Sequence, residues 1–237
     1  MKKQHFIANV IVNVTICLLL IVVAFVGMGE QVVNVSSNNK AIYQGNPNEP
    51  NVSLMFNVYW GTEYIEPILK VLKSYEVKTT FFIGGSWAVK HNEVLREIFN
   101  NGHEIGSHGY SHKNSSELTY KQNVDEIRMA DAIIEKILGF KPSLFAPPSG
   151  SIGIEMFKAC DDLGKNVIMW TRDTIDWRDK DSSMVLKRAT MDIQNGSFIL
   201  MHPTEHTLKA LPLILDNFKQ KGVRVTTVSN CLKESVV

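Results

Sequence analysis

The chain alternates short apolar runs with amphipathic stretches from about residue 52 to its end. Short apolar runs predict strands, and stretches with apolar positions every three or four residues predict helices. The predicted strands cover residues 52–56, 79–83, 103–105, 143–145, 166–170, 197–201 and 223–227. The predicted helices cover residues 63–75, 91–100, 119–138, 155–163, 183–193 and 208–221. Strands separated by helices favour parallel βαβ units, so this series predicts an α/β fold, a (β/α) barrel that is distorted or seven-stranded.

An uncharged apolar run from about residue 6 to residue 28 follows Lys2 and Lys3. The run is long enough to cross a bilayer as a helix, and the preceding lysines favour a cytoplasmic N-terminus. No small-residue cleavage site stands out near residues 27–29, although a cleaved signal peptide is the alternative. Residues 1–29 are therefore predicted to form a single-pass signal anchor in the cell membrane, with the rest of the chain extracytoplasmic.

A polar segment separates this run from the first predicted strand. Residues 30–50 contain many Asn, Ser, Gly and Pro residues and show little periodicity, which predicts a tether. Val32 and Val33 could instead begin a short strand. The folded domain is predicted to cover residues 51–237.

Composition limits the classes of partner. The 237 residues carry a formal net charge of +1, which gives no reason to propose a nucleic acid. The apolar content suffices for one domain of moderate size with a real core. Cys17 lies in the apolar run, and the spacing of Cys160 and Cys231 requires neither a disulfide nor a metal cluster.

Polar and aromatic clusters follow the ends of several predicted strands. His108 and His112 stand four residues apart on a glycine-rich turn, and imidazole is a common ligand for divalent transition metals. Two ordinary surface histidines would give the same short pattern, so the rest of the chain must decide. The other clusters cover residues 56–61, 146–150, 170–177 and 200–203. In a parallel barrel the carboxyl ends of the strands meet at one mouth, so these clusters are expected to converge there.

In this order the five clusters resemble the motifs of the polysaccharide deacetylase family, carbohydrate esterase family 4 with its NodB homology domain. The resemblance covers residues 52–232, and Trp60-Gly61 is most similar to the sporulation-associated subgroup. It implies a metal-dependent hydrolase of amide carbon–nitrogen bonds. The implied substrate is an N-acetylated, peptidoglycan-like polysaccharide. The implied cofactor is a divalent metal, with zinc as the first candidate.

The resemblance also assigns roles to single residues. His108 and His112 match the metal-binding histidines. His202 matches the general acid that protonates the leaving amine, and Asp176 matches the carboxylate that orients it. The residues that it implies for substrate binding are Trp60, Tyr110, Pro148, Trp177 and Leu200. The aromatic residues among them could instead be barrel packing, and Pro148 could simply belong to a rigid turn.

Three positions depart from the family's pattern. Aligned without gaps, Asn57 stands at the catalytic base, Val58 at an aspartate metal ligand, and Ala146 at an arginine that pairs with the base. An amide has no useful basicity and valine has no donor atom, so Asn57 cannot act as the base and Val58 cannot bind the metal. Asn57 is thus a degenerate base position that could offer a metal its amide oxygen. Asp173 could reach the metal instead, and either Asp173 or Asp176 could simply cap the next helix.

Three functions are compatible with these residues. The first is a deacetylase of cell-wall or spore-cortex glycan, slowed by roughly 10²–10⁴-fold through the loss of its base. The second is a non-catalytic, membrane-tethered protein that binds glycan in the same groove. The third is a scaffold without a ligand. The changes at Asn57, Val58 and Ala146 favour the second function, whereas the retained histidines and Asp176 favour the first.

Overall fold

A computed structural model of the chain describes residues 40–233. The strands in this part of the chain are β1 (Asn51–Val58), β2 (Thr80–Ile83), β3 (Glu104–Ser107), β4 (Leu144–Phe145), β5 (Asn166–Val167), β6 (Arg172–Asp173), β7 (Phe198–Met201) and β8 (Arg224–Thr226). They include all seven regions in which a strand was predicted. The predicted strand at residues 166–170 is shorter, and β6 was not predicted.

The helices are α1 (Thr62–Ser74), α2 (Gly85–Lys90), α3 (Asn92–Asn100), α4 (Tyr120–Leu138), α5 (Ile154–Asp162), α6 (Ser182–Thr190), α7 (Glu205–Gln220) and α8 (Val228–Leu232). The six predicted helices are therefore confirmed, with ends shifted by a few residues, and the short helices α2 and α8 are additional. The cap of α4 agrees with its sequence, because Thr119 and Gln122 form a capping box and Gly139 ends the helix at φ 86°.

The strands form one curled sheet in the order β5-β4-β3-β2-β1-β7-β6, with parallel pairing between neighbours. β8 pairs with residues 51–53 of β1, ahead of residues 55–58, which pair with β2. The two ends of this order, β5 and β6, are separated by only residues 168–171. The chain thus passes from the β4 edge to the β7 edge within one short stretch. This confirms the predicted α/β class and gives a distorted, partial barrel.

Two residues in the described end of the predicted tether form backbone bridges with the barrel. Ile42 forms a parallel bridge with Ile168, and Gln44 forms an antiparallel bridge with Ser197. Ile42 donates its backbone N–H to Val167 O at 2.8 Å. Residues 42–45 therefore connect the end of β5 with the segment just before β7 through backbone hydrogen bonds.

The predicted signal anchor and residues 30–39 of the tether lie outside the described residues. Within residues 40–233, no helix combines the length and the apolar character needed to cross a bilayer.

Side-chain alternation along β1 decides which residues reach the barrel interior. Leu54, Phe56 and Val58 are fully buried in the cluster between the sheet and the helices. Met55 points the other way, into an interior cluster that also contains Ala146. Successive side chains on a strand point to opposite faces, so Asn57 shares the interior face with Met55 and stands at the mouth of the barrel.

Candidate active site

The two-histidine loop follows β3, and the neighbouring helices α2 and α4 fix its position. Tyr110 and Ser111 donate their backbone N–H groups to the carboxylate of Glu126 on α4, at 3.1 and 2.6 Å. Gly85, the first residue of α2, donates its N–H to Gly109 O at 2.9 Å. Glu126 belongs to no recognisable motif, so sequence reasoning missed the residue that holds this loop.

His108 and His112 present neutral imidazole rings whose centroids lie 5.1 Å apart. Nδ1 of the buried His108 is 2.7 Å from Ala146 O. Since a carbonyl oxygen only accepts hydrogen bonds, Nδ1 carries the proton and Nε2 keeps a free lone pair. Burial, with a contribution from His112, lowers the pKa of His108 to about 3, and burial also lowers the pKa of His112. Both rings are therefore in the form that binds metals at neutral pH.

Asn57 lies among the cavity-lining residues at the end of β1. Its side chain is almost fully buried, and Oδ1 has no hydrogen-bond partner among the residues that the structure describes. Leaving a buried polar atom unpaired costs about 1–3 kcal/mol. The amide oxygen is thus available to a ligand, whereas the position lacks the carboxylate that a general base needs.

Val58 is not among the residues that line the cavity. Its side chain has no exposed surface and packs in the cluster between the sheet and the helices. The next residue on the Asn57 side of the chain is Tyr59. The Tyr59 ring lies 4.9 Å from the ring of His112, and its hydroxyl donates to Ser111 O at 3.4 Å. A tyrosine therefore stands beside His112, although it is not among the residues that line the cavity.

Asp176 and His202 form a hydrogen-bonded pair on the other side of the cavity. Asp176 Oδ1 lies 2.8 Å from His202 Nδ1, and Oδ2 accepts the backbone N–H of His202 at 2.6 Å. The Thr207 hydroxyl donates to the same Oδ2 at 2.5 Å. The carboxylate directs the His202 proton to Nδ1 and leaves Nε2 as the exchangeable position. This is the arrangement needed to orient a general acid.

These side chains surround a cavity of about 360 Å³ at the mouth of the barrel. The residues of the predicted site that line it are Asn57, Trp60, His108, His112, Trp177, Leu200 and His202. Ser149, Gly150, Trp170 and Asp173 also line it; the sequence singled out only Asp173 among them, as an alternative ligand or a helix cap.

Two of the residues predicted to bind substrate lie outside this lining. Tyr110 packs against α2, since a Cβ atom on Gly85 would lie 2.7 Å from its ring. Pro148 lies beside Gly109 in the histidine loop, 3.5 Å from where a Cβ atom on that glycine would stand. Tyr110 thus joins the histidine loop to α2 and Pro148 packs beside that loop, and a direct contact with substrate stays a prediction for each.

Two aromatic side chains remain exposed at the rim. Trp60 is 43% exposed and its ring stacks on His202, with centroids 5.7 Å apart and an angle of 8° between the planes. Trp177 is 54% exposed. Exposed indole surface beside a cavity suits the apolar face of a sugar ring.

The residues present do not fit a catalytic metal centre. Such a zinc site usually has three protein ligands from histidine, cysteine or a carboxylate. Across residues 40–233, no group of three such side chains is placed to hold an ion. His108, His112 and the Asn57 amide oxygen offer two imidazoles and one neutral oxygen, so no reaction step is assigned to a metal here.

The sequence has clear relatives. A family profile described as polysaccharide deacetylase matches residues 44–168. The chain belongs to the polysaccharide deacetylase family. Among curated proteins it is 38% identical to the uncharacterized protein YlxY of Bacillus subtilis, over 82% of this chain and 61% of YlxY. It is also 29% identical to a Bacillus cereus peptidoglycan-N-acetylglucosamine deacetylase, over 81% of this chain and 72% of that protein.

A solved structure with the same fold is BA3943 of Bacillus anthracis, described as a CE4 family pseudoenzyme. It superposes with a TM-score of 0.81 at 37% identity, over 84% of this chain and 71% of BA3943. A BA3943 mutant described as having restored enzymatic activity superposes with the same TM-score at 36% identity. The family thus includes both deacetylases and a protein that has lost activity.

The two sides of the cavity differ in the groups that they present. On one side the Asp176 carboxylate orients His202 at the cavity wall. On the other side Asn57 faces the cavity with an amide, and Tyr59 lies beside His112. The arrangement can bind and orient an amide group more readily than it can activate water against it.

Proposed function

We propose that this polysaccharide deacetylase homologue binds an N-acetylated, peptidoglycan-like glycan in its cavity without hydrolysing it at a useful rate. The observation that carries the proposal is Asn57, which places a neutral amide where the reaction needs a proton acceptor. Asp173 is the carboxylate that lines the cavity, and its Oδ1 accepts the backbone N–H of Ile175 at 2.7 Å. It does not join the two histidines as a third ligand.

The shape of the cavity supports glycan binding. A volume of about 360 Å³ lies within the range of small-molecule sites. Trp60 and Trp177 provide exposed aromatic faces, and Ser149 and Asp173 provide polar groups. One relative is described as a peptidoglycan-N-acetylglucosamine deacetylase, so an N-acetylated sugar polymer is the ligand class that best matches these surfaces.

A weak deacetylase is the second candidate, and the Asp176–His202 pair favours it. Three hydrogen bonds to a buried carboxylate keep His202 in an acid-competent orientation. A protein that only binds glycan has no need for that orientation. Such an enzyme would act without help from Asn57, so its rate would be lower by about 10²–10⁴-fold than that of a relative with a carboxylate.

We also propose a weak divalent-metal site and a membrane location. Zinc would bind at His108 and His112 with the Asn57 oxygen as the third donor, and the unpartnered Oδ1 supports this. The apolar run at residues 6–28 supports a signal anchor that holds the domain outside the cell membrane.

Binding and acetate release, measured on the same sample of the full-length chain, separate the two candidates. N-acetylglucosamine oligomers should bind in calorimetry, and acetate release with added zinc should not exceed that of His202→Gln. Trp177→Ala should weaken binding by roughly tenfold through loss of a stacking surface. Tyr43→Ala removes an aromatic of similar exposure away from the cavity and should bind as the parent does. Rapid acetate release that His202→Gln abolishes would establish the deacetylase instead, and failure of every oligomer to bind would overturn the proposal.

A further inference from the structure

Part of the cavity wall is a loop of residues 174–179 that follows β6, called the wall loop below. It carries Asp176, the hydrogen-bond partner of His202, and Trp177, which lines the cavity. These neighbours have opposite environments, since Asp176 is 2% exposed and Trp177 is 54% exposed. A shift of the wall loop would therefore displace a buried carboxylate and an exposed indole together.

The turn inside the wall loop has a strained backbone. Ile175 has a φ of 54°, in the left-handed region that β-branched residues rarely adopt. Such a conformation persists only where the surrounding contacts over-determine it. On one side of the turn, Thr174 donates its hydroxyl and its N–H to Leu200 O, at 2.8 and 3.1 Å. On the other side, Asp179 donates its N–H to Ile175 O at 2.9 Å. The strained turn thus depends on contacts that hold both of its ends.

One side chain from outside the wall loop contacts both ends of the turn. Arg188 on α6 donates Nη1 to Thr174 O at 3.0 Å and Nη2 to Asp179 Oδ2 at 2.6 Å. Thr174 is fully buried, so this carbonyl needs a partner within the protein. The planar fork of a guanidinium can reach two acceptors at once, which the single ammonium of a lysine does less well.

Asp179 extends this contact to Trp177 through a second arginine. Arg178 donates Nε and Nη2 to the Asp179 carboxylate, at 2.8 and 3.3 Å. Its Cζ atom lies over the Trp177 ring, 5.9 Å from the centroid, within the range of a cation–π contact. Hydrogen bonds from Arg178 and Arg188 lower the pKa of Asp179 to about 2, so the carboxylate between the two arginines is ionised at neutral pH.

We propose that Arg188 is a positioning residue that fixes the wall loop so that Trp177 presents its exposed ring to the glycan. The proposal rests on the proposed function and adds a residue that is not among those lining the cavity. The effect of Arg188 on affinity would therefore pass through Trp177. A purely structural role would instead lower the stability and leave the folded site unchanged.

A spectroscopic test of this position needs no ligand. Fluorine NMR of the full-length chain labelled with 5-fluorotryptophan reports on each tryptophan, and Trp177→Phe assigns the Trp177 signal. Arg188→Gln should shift or broaden that signal and leave the signal of the buried Trp87 unchanged. Arg172→Gln is the matched control, because Arg172 also donates to a backbone carbonyl, that of Asp192 at 2.7 Å, away from the wall loop. It removes the same charge and should leave the Trp177 signal in place.

Calorimetry with N-acetylglucosamine oligomers measures the consequence for binding. Arg188→Gln should weaken binding by about three- to tenfold, because a displaced indole loses its stacking surface. Arg188→Lys keeps the charge but not the fork, so its effect should be intermediate. In the Trp177→Ala background, Arg188→Gln should weaken binding by less than about twofold, since both changes remove one interaction. Every variant is compared at a temperature at which its circular dichroism shows it folded, so lost stability does not enter.

The remaining outcomes decide against the positioning role. A Trp177 signal that stays in place in Arg188→Gln overturns it, as does a signal that moves equally in Arg172→Gln. An undiminished effect of Arg188→Gln in the Trp177→Ala background also overturns it, because Arg188 would then act through another group. If the parent binds no oligomer, the proposed function fails. A shifted Trp177 signal in Arg188→Gln would still support the positioning of the wall loop in that case, and an unmoved signal would overturn both.

Discussion

Asp176 holds His202 by two separate groups, its ring and its backbone. Oδ1 lies 2.8 Å from Nδ1 of the ring, and Oδ2 accepts the backbone N–H at 2.6 Å. The same Oδ2 accepts the Thr207 hydroxyl at 2.5 Å. One buried carboxylate thus links the strand-end loop that carries His202 to the first turns of α7, so the pair is part of the fold as well as of the site.

Asp176→Ala is therefore expected to destabilise the protein whether or not it hydrolyses anything. The change leaves the His202 N–H and the Thr207 hydroxyl without their acceptor, at about 1–3 kcal/mol for each buried unpaired group. Urea unfolding should show a loss of roughly 2–4 kcal/mol in the free energy of unfolding. Asp125→Ala is the matched control, because this exposed aspartate pairs only with Lys121 on the same helix and should cost under about 0.5 kcal/mol. Equal effects of the two changes would contradict a structural role for Asp176.

A buried histidine outside the site gives the stability a defined pH dependence. His103 is 4% exposed, and its Nδ1 accepts the backbone N–H of Thr79 at 3.2 Å. Burial, with a contribution from Lys78, lowers the pKa of His103 from 6.5 to about 4. Below pH 6.5, His103 therefore binds a proton in the unfolded chain. In the folded protein it stays neutral until the pH falls to about 4. The stabilising contribution is complete above pH 6.5 and is lost as the pH falls through this window.

His103→Gln should reduce this loss of stability at acid pH. Glutamine can still accept the Thr79 N–H but does not titrate, so the stability lost between pH 6.5 and 4 should shrink by up to about 3 kcal/mol. The measurement is the free energy of unfolding in urea at half-unit steps of pH. His206→Gln, at a half-buried position on α7, is the control and should keep the slope of the parent. A slope unchanged in His103→Gln would show that other groups cause the acid sensitivity.

The sequence located the mouth of the barrel because strand ends can be read from apolar runs. His108, Asn57 and His202 each follow such a run, and parallel strands bring their carboxyl ends together. Alternation within β1 could also have separated Asn57 from Val58, since Leu54, Phe56 and Val58 form one apolar face. The side chain at position 58 therefore faces the helices rather than the cavity.

Other features could not be predicted from the sequence, because they depend on backbone pairing or on the close approach of two segments. Ile42 joins β5 through backbone hydrogen bonds, which a polar, Asn-rich composition does not reveal. The Gly84-Gly85 pair resembles a turn, yet Gly85 begins α2 because it packs directly against Ala130. Glu126 positions the histidine loop from the next α-helix along the chain, and no spacing rule connects the two.

Placing an aspartate at position 58 or 59 should have opposite consequences. Val58→Asp buries a carboxylate among apolar side chains of the helix-facing cluster, which should cost about 3–5 kcal/mol of stability. Tyr59→Asp places the carboxylate on the side of His112, where it adds an anionic ligand to the two neutral imidazoles. Zinc titration by calorimetry should therefore show tighter binding for Tyr59→Asp than for the parent. Tyr59→Phe is the control, because it keeps the ring against His112 without adding a donor. Tighter zinc binding by Val58→Asp instead would contradict the placement of these two side chains.

The last prediction concerns recovery of hydrolysis, and it couples positions 57 and 146. Asn57→Asp supplies the missing base at the cavity, but it leaves a buried carboxylate without a partner. Ala146 belongs to the interior cluster next to the mouth, so Ala146→Arg alone would bury an unpaired cation. Together the two changes can form an ion pair, and the double variant should be more stable than the sum of the single losses predicts.

Acetate release should follow the same coupling. With Tyr59→Asp to complete the zinc ligands, adding Asn57→Asp and Ala146→Arg should raise the rate of acetate release from N-acetylglucosamine oligomers by about 10²–10⁴-fold over the parent, the usual contribution of a positioned base. His202→Gln in the same background is the control and should abolish the gain, because the leaving amine then has no acid. The unfolding free energies of the single and double variants and the rate of acetate release are independent measurements. A stable ion pair without any gain in rate would mean that the restored carboxylate does not reach the water that attacks the acetyl group. A gain in rate that survives His202→Gln would mean that a different group protonates the leaving amine, and that the Asp176–His202 pair serves the fold alone.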